Sequence, residues 1–366
     1  MRYKLPELCN IQYGYAFDSK NFTEDDTYPP LIRIRDVKRG YSETFYAGDY
    51  PQEYIVHAGD LLIGMDGEFN IARWNSRDAL LNQRVCKITA KEGNNEEYIR
   101  FALSKVLKII ENKTSFVTVK HLSAKELNKI ELSIPVELEQ NKIACILKNI
   151  ENIINIRQRQ LEKLSEIVRA RFVEMFGTPY ENEKGFPLLT VDDVIEFTGG
   201  AQPDKKYFEY ESTEENIRLI QIRDYKTDNY ITYIPKSMAK RFCDADAIMI
   251  GRYGPPIFQI LKGIEGAYNV ALMKATPKMG NKEFIRYFLK QECLFKYLDN
   301  LSQRTAGQSG IEMSALKAYP FPYPPIELQE EFEKIAKQVD KSKDSVQKAL
   351  DEAQLLFDSL MQQYFG

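Results

Sequence analysis

The sequence predicts an α+β fold: two similar mixed α/β domains separated and joined by two long antiparallel coiled-coil helices, with a pseudo-two-fold internal duplication. The first observation behind this is repetition. Leu31-Ile32-Arg33-Ile34-Arg35-Asp36-Val37 returns as Leu219-Ile220-Gln221-Ile222-Arg223-Asp224-Tyr225. Ile63-Gly64 returns as Ile250-Gly251, Asn82 and Val85 as Asn269 and Leu272, Pro135 to Leu138 as Pro325 to Leu328, and Phe176-Gly177 as Phe365-Gly366. Solenoid repeats run about 20–50 residues, far shorter than these separations, so the repeat unit is a whole domain. The second observation is that 139–176 and 327–365 contain neither Gly nor Pro and both stop at Phe-Gly, as a long helix closed by glycine does. The expected organisation is domain 1–138, helix 139–177, domain 178–326 and helix 327–366.

The first long run carries Ile143, Leu147, Ile150, Ile154, Leu161, Leu164, Val168 and Met175 at 4-3 spacing, interrupted by Arg157 and Arg171. The second carries Leu328, Phe332, Ile335, Val339, Ser342, Val346, Ala349, Ala353, Leu356 and Leu360 at the same spacing, the heptad seam of a coiled coil. Each seam is the other's expected partner. A duplicated dimer is usually two-fold, which makes the pairing antiparallel. Ile153, Ile167, Phe172 and Phe357 are expected to face outward, where apolar residues mark partner docking.

The segments before the helices contain short β-type runs (Leu31–Ile34, Asp60–Ile63, Val85–Ile88, Ala247–Ile250) separated by turn residues. A helical stripe spans Glu96 to Ile110, and Lys282 to Leu298 echoes it. With 366 residues and 43% hydrophobic content, the chain has material for two real cores. Five scattered cysteines without a CxxC pair and two unmatched histidines, His57 and His121, indicate neither a disulfide framework nor a zinc cluster. No signal-like or membrane-spanning run is seen, so the expected location is cytoplasmic, away from membranes.

Catalytic signatures are missing: no GxxxxGK[ST], no GxGxxG after a strand, no HExxH and no repeated nucleophile–base pair. Pro324-Pro325 is flanked by Tyr323 and Ile326 and serves as a rigid entry to the terminal helix. No catalytic residue and no metal ligand is assigned. The net charge of −3 argues mildly against a lone DNA-binding domain, yet the acidity is concentrated after residue 326 and the domains are near neutral. Basic residues there cluster with aromatics, as in Arg33, Arg35, Lys38 and Arg39, and Arg73 and Trp74 with Arg77; Lys20, Gln83 and Arg84 are further candidate contact residues in the first domain. The second has Lys205, Lys206, Arg218, Gln221, Arg223, Tyr225, Arg252 and Tyr253, and the polar stretch Gln303 to Gly310 adds Gln303, Arg304 and Gln308. Arg beside Asp at a strand end suits contacts with phosphate or guanine and equally an internal ion pair. The loops Gly64–Asn70 and Gly251–Gly254 share a frame and differ in composition, as two sites reading different sequences require.

In order and duplication, these segments resemble the specificity subunit of type I restriction-modification systems over essentially the whole chain. The matching residues are Leu31 to Asp36, Gly59-Asp60-Leu61-Leu62-Ile63-Gly64, Leu81-Asn82-Gln83-Arg84-Val85, Gln303 to Gly310, Ile134 to Gln140, and Pro324 to Leu328. Departures are Ala247, with Asp246 before it, in the place of Asp60, and Glu330 in the place of Gln140. The resemblance implies two target recognition domains, each reading half of an asymmetric bipartite site in double-stranded DNA, and no catalysis by this chain. It further implies two methyltransferase subunits using S-adenosylmethionine, restriction subunits using ATP and Mg, and no cofactor in the chain itself. The competing readings are a coiled-coil interaction protein without a DNA role and a cryptic DNA-modifying enzyme. The interaction-protein reading requires Arg33, Arg35, Arg73, Arg84, Arg223 and Arg252 to scatter over opposite faces.

Overall fold

The computed structural model describes residues 2–113, 120–254, 256–303 and 310–366. It divides into two compact units, Met1–Gln158 with Gln347–Gly366, and Arg159–Val346. The first is built on an antiparallel sheet ordered Cys9–Tyr13, Val85–Ala90, Leu61–Gly64, Ile71–Arg73. Helix Glu96–Lys113 covers one face and buries Tyr98, Phe101, Leu103 and Leu107 with Leu61, Ile63 and Ile88. A smaller sheet runs Leu31–Ile32, Ala79–Leu81, Ile55–Val56, its first pair parallel.

The second unit repeats this plan: Ile195–Gly199, Leu272–Pro277, Ile248–Gly251, Gln259–Lys262 in the main sheet, and Asn216–Ile220, Gly266–Tyr268, Phe242–Cys243 in the smaller one. Its smaller sheet gains an edge strand, Tyr233–Pro235. The predicted Lys282–Leu298 helix is two helices, Lys282–Leu289 and Glu292–Gln303. At the break the Gln291 side-chain amide donates to the Tyr287 carbonyl at 2.9 Å, satisfying an acceptor that the interrupted helix leaves open.

Two local expectations are corrected. Leu31–Ile34 is strand only at Leu31–Ile32, because Ile34–Arg39 is helical. Asp36, third residue of that helix, accepts the Arg33 backbone N–H at 2.9 Å, and Gly40 closes it at φ 75°. The Arg-Asp pair therefore opens a helix, and buried Asp36 is its cap. The second correction is the register of the repeat at the long helices, Glu137–Phe176 and Ile326–Phe365. Gln140 Oε1 accepts the Asn95 backbone N–H at 2.8 Å, and its Nε2 donates to the Pro135 carbonyl at 3.0 Å. Gln329 does the same with Asn281 (2.8 Å) and Pro324 (2.8 Å). Gln140 thus matches Gln329, and Glu330 is no departure.

Within the first unit Ile143, Ala144 and Leu147 share a core with Met361, against which Phe357, Leu360, Tyr364 and Phe365 pack. Within the second, Val168, Phe172 and Phe176 share a core with Phe332 and Ala336, flanked by Leu328 and Val339. The start of one helix meets the end of the other, so they pair antiparallel. Ile150 and Ile154 are buried; Leu161, Leu164, Ile335, Val346, Ala349 and Ala353 are half-buried. Leu356 departs from the predicted seam at 51% exposure. Phe357 points inward instead, its ring 5.9 Å from Phe101, because this end of the terminal helix packs on the domain helix as well as on its coiled-coil partner. Phe172 is likewise core, stacked at 5.5 Å on Phe284, while Ile153 and Ile167 are exposed.

Gly14 and Gly200 occupy matching positions where a Cβ would stand about 2.0 Å from the Asn82 carbonyl oxygen and 1.9 Å from that of Asn269. Alanine at Gly14 or Gly200 forces the loops at Asn82 or Asn269 outward and should cost about 1–3 kcal/mol, read as a lowered urea midpoint. Gln140→Leu and Gln329→Leu each strand a buried N–H and a carbonyl, so each should cost about 1–3 kcal/mol. Glu330→Gln, on the exposed face, should stay within about 0.5 kcal/mol of the parent.

Candidate nucleic-acid interface

In the first unit, Arg33, Arg35, Gln83 and Arg84 come together around one open cavity of about 470 Å³, with Phe17, Ser19, Phe22 and Asn82 completing its wall. The Ile34–Arg39 helix positions the first two, and the tight loop after Ala79–Leu81 positions the others. A second hollow beside it reuses Arg33 and Arg35. Lys20 lies on the short turn Ser19–Asn21, next to Ser19 of the wall. Arg84 is paired with Asp66, which also accepts from His121. Burial pushes the Asp66 carboxyl up, but the hydrogen bonds from His121 and Arg84 outweigh it and hold the group below the usual carboxylate range. Arg84 is consequently oriented while its side chain remains 59% exposed.

The other first-unit candidates do not join this cluster. Trp74 is fully buried, its indole N–H donating to the Arg77 carbonyl at 2.8 Å, and belongs to the core. Arg73 is held by Glu96 and Glu97 and by the Gly59 carbonyl, locking strand to helix. Arg77 ties down the 26–28 loop through the Asp26 and Tyr28 carbonyls. Lys38 and Arg39 line the outer face of their helix, paired loosely with Glu68 (3.5 Å) and Glu43 (3.7 Å).

In the second unit, Arg223 lines a cavity of about 480 Å³ with Tyr210, Ser212, Asp228, Asn229, Tyr230 and Tyr233. Its Nη2 donates to Thr232 Oγ1 at 3.2 Å, and Gln221 Nε2 donates to the same oxygen at 3.1 Å. Arg252 lies over the ring of exposed Tyr253 at 5.3 Å and reaches the Val270 carbonyl at 3.4 Å. Lys205 and Lys206 occupy an exposed turn, Lys206 5.0 Å from the Tyr207 ring centroid. Two candidates are corrected. Arg218 is bound to Asp228 (3.0 Å) and near Asp224 (3.8 Å), an internal pair. Tyr225 is packed against a core cluster with its hydroxyl buried, and burial pushes that hydroxyl's pKa up. Burial also raises Asp224, against the opposing backbone bond from Gln221 and the charges of Arg218 and Arg223. Gln303 ends its helix, whereas Arg304 and Gln308 lie outside the described residues.

One feature had no signal in the sequence pairs. Met65 N–H bonds to the Arg84 carbonyl at 2.9 Å, and Arg252 N–H to the Ala271 carbonyl at 2.9 Å. These are matching bonds, so Arg84 and Arg252 stand on opposite members of one cross-strand pair. Aligning the two halves position by position hides this exchange.

No group of three His, Cys, Asp or Glu side chains suited to a metal occurs among the described residues. The five cysteines are free, and among the described residues no helix is long and apolar enough to cross a membrane.

Two stretches of the chain, 1–166 and 183–354, match the model of the type I restriction modification DNA specificity domain. The chain belongs to that family. It is 41% identical over 170 residues to the EcoBI type I restriction enzyme specificity subunit of Escherichia coli, a match spanning 46% of this chain and 36% of that subunit. It is 22% identical over 364 residues to the MjaVIII specificity subunit of Methanocaldococcus jannaschii, covering 89% of this chain and 84% of that one. The fold is that of the S subunit of a type I restriction-modification system from M. genitalium, with a TM-score of 0.62 at 14% identity over 100% of this chain and 96% of that chain. For this specificity-family chain, Trp74→Ala should destabilise by about 3–5 kcal/mol in urea unfolding. Arg35→Ala should change stability by no more than about 0.5 kcal/mol.

Proposed function

We propose that this chain is the DNA-reading subunit of a type I restriction-modification complex and that each unit reads one half of an asymmetric bipartite site in double-stranded DNA. The observation that carries this is the duplication of one frame with different side chains on it: exposed Arg33 and half-buried Gln221 at matching positions, with exposed Gln83 and Arg84 in one copy and half-buried Arg252 on the facing strand position in the other. Arg and Gln forks match the acceptor and donor edges of purines in the major groove. The frame places their backbones on short helices and strand ends, and Asp66 and Thr232 orient Arg84 and Gln221. Of the six arginines whose placement separates a DNA face from a scattered surface, Arg33, Arg35 and Arg84 share one cavity.

The chain itself catalyses no reaction on this reading. Two methyltransferase subunits bring S-adenosylmethionine and flip an adenine out of the stack, and restriction subunits bring ATP and Mg. The assembly works in the cytoplasm, without a membrane. Exposed Ile153 and Ile167 on the central helix offer apolar ground for the methyltransferase contacts.

Co-expression with the methyltransferase encoded alongside it, in a host lacking other modification, should yield methylated adenines in a bipartite motif with an unspecified spacer. A stable complex that leaves the genome unmethylated would overturn the reading. The purified chain alone should transfer no methyl group from labelled S-adenosylmethionine to DNA. Within the active complex, Arg35→Ala and Arg223→Ala should each weaken DNA binding evenly across sequences and reduce the salt slope by about 1, measured by titration at several ionic strengths.

A further inference from the structure

Three matched contacts fix residue 33 of the first unit opposite residue 221 of the second. Leu31 pairs in parallel with Leu80, and Leu219 with Ala267. The carboxylate three residues on accepts the backbone N–H of the position itself, Asp36 from Arg33 at 2.9 Å and Asp224 from Gln221 at 3.1 Å. The next residue, Ile34 or Ile222, packs so closely on Gly64 or Gly251 that a Cβ there would lie 3.2 or 2.9 Å from it. The backbone therefore presents both side chains from the same point of the same frame.

At that point the two units carry different chemistry. Arg33 is exposed and its guanidinium makes no hydrogen bond or ion pair among the described residues, although it lines the cavity shared with Arg35, Gln83 and Arg84. Gln221 is half-buried, and one of its amide hydrogens is taken by Thr232 Oγ1 at 3.1 Å. Fully buried Thr232 also receives Arg223 at 3.2 Å, so the amide plane is held. The second amide hydrogen and Oε1 stay available as a donor-acceptor pair. Two residues further on, both units carry a partly exposed arginine beside the capping aspartate, Arg35 at 3.7 Å and Arg223 at 4.0 Å, with Arg223 also donating to Thr232 Oγ1 and to the Tyr230 carbonyl at 3.3 Å.

Phosphate contacts position a protein without carrying sequence information, whereas base-edge contacts specify. An unchanged arginine at matched positions suits the phosphate that every site supplies, and a changed residue suits the base that differs. We infer that Arg33 and Gln221 are matched specificity determinants, Arg33 selecting a guanine in the half-site of the first unit and Gln221 an adenine in that of the second. The guanidinium fork meets guanine O6 and N7, and the Gln amide meets adenine N6 and N7. The inference rests on the DNA-reading function proposed above and adds which base pair each unit demands at one defined place.

The test uses the complete complex with its methyltransferase, a plasmid library randomised at every position of the wild-type motif, and methylation read by sequencing. Arg33→Gln should exchange a G·C requirement for A·T at one position of one half-site. Gln221→Arg should do the reverse at one position of the other half, each preference moving roughly 5- to 150-fold. Arg33→Ala should make its position degenerate and leave the rest of the motif intact. Motifs unchanged by both exchanges, or Arg33→Ala lowering methylation equally for all bases, would assign these residues to backbone grip and overturn the inference. A wild-type complex without a bipartite motif fails earlier and brings down the functional reading itself, so the two failures are told apart.

Discussion

Each recognition unit depends on one buried amide. Gln140 and Gln329 lie at the starts of the long helices with almost no solvent contact, and each spans the helix entry and the backbone N–H of Asn95 or Asn281. Those asparagines cap the domain helices, Asn95 Oδ1 accepting Tyr98 N–H and Asn281 Oδ1 accepting Phe284 N–H. One side chain thus ties the first turn of the domain helix to the first turn of the long helix. A buried polar group is costly unless every partner is in place, so this contact tolerates little rotation of domain against helix. A reader of DNA needs that constraint, because a base-edge contact has hydrogen-bond geometry to satisfy and a loosely hinged domain would lose it.

Aromatic packing completes the same junction from the other side. Phe365, one residue before the terminal glycine, lies 5.2 Å from Tyr98, and Phe176, one residue before Gly177, lies 4.7 Å from Phe284. Each domain therefore holds the beginning of one long helix by hydrogen bonds and the end of the other by aromatic contact. Polar geometry sets the angle, and apolar area supplies stability. With the junction fixed twice over, loops elsewhere can diverge without disturbing it, as the exchange of Arg84 for Arg252 illustrates.

The sequence revealed the duplication and the two helices, because each leaves a local mark, a repeated string or a Gly- and Pro-free run; it grouped Arg33 and Arg35 with Lys38 and Arg39, whereas the fold brings Gln83 and Arg84 to them. It misled where letters and contacts disagree. Pro135-Val136-Glu137-Leu138 resembles Pro325-Ile326-Glu327-Leu328 more than it resembles the stretch beginning at Pro324, yet the carbonyl that each glutamine seeks belongs to Pro135 and Pro324. Leu356 fits a heptad, but this end of the helix also meets Phe101, and a second packing partner rotates the buried face to Phe357. Trp74, Arg73, Arg77 and Arg218 look like surface recognition groups in one dimension. Their partners, Glu96, Glu97, Asp228 and the carbonyls of loops distant in sequence, exist only once the chain is folded.

A net charge of −3 is poorly matched to a polyanion. Arg73 and Arg218 are spent internally, their charges met by Glu96, Glu97 and Asp228, and Arg84 is paired with Asp66; on the proposed reading, cations without such a partner, Arg33 among them, meet DNA. Acidic side chains outnumber basic ones, 53 to 50, so nonspecific attraction, which grows with the number of phosphates neutralised, is weak. On the proposed reading, grip comes from the partner subunits and discrimination from this chain. Such a division keeps the reader from being held at the vast excess of wrong sites by backbone attraction alone.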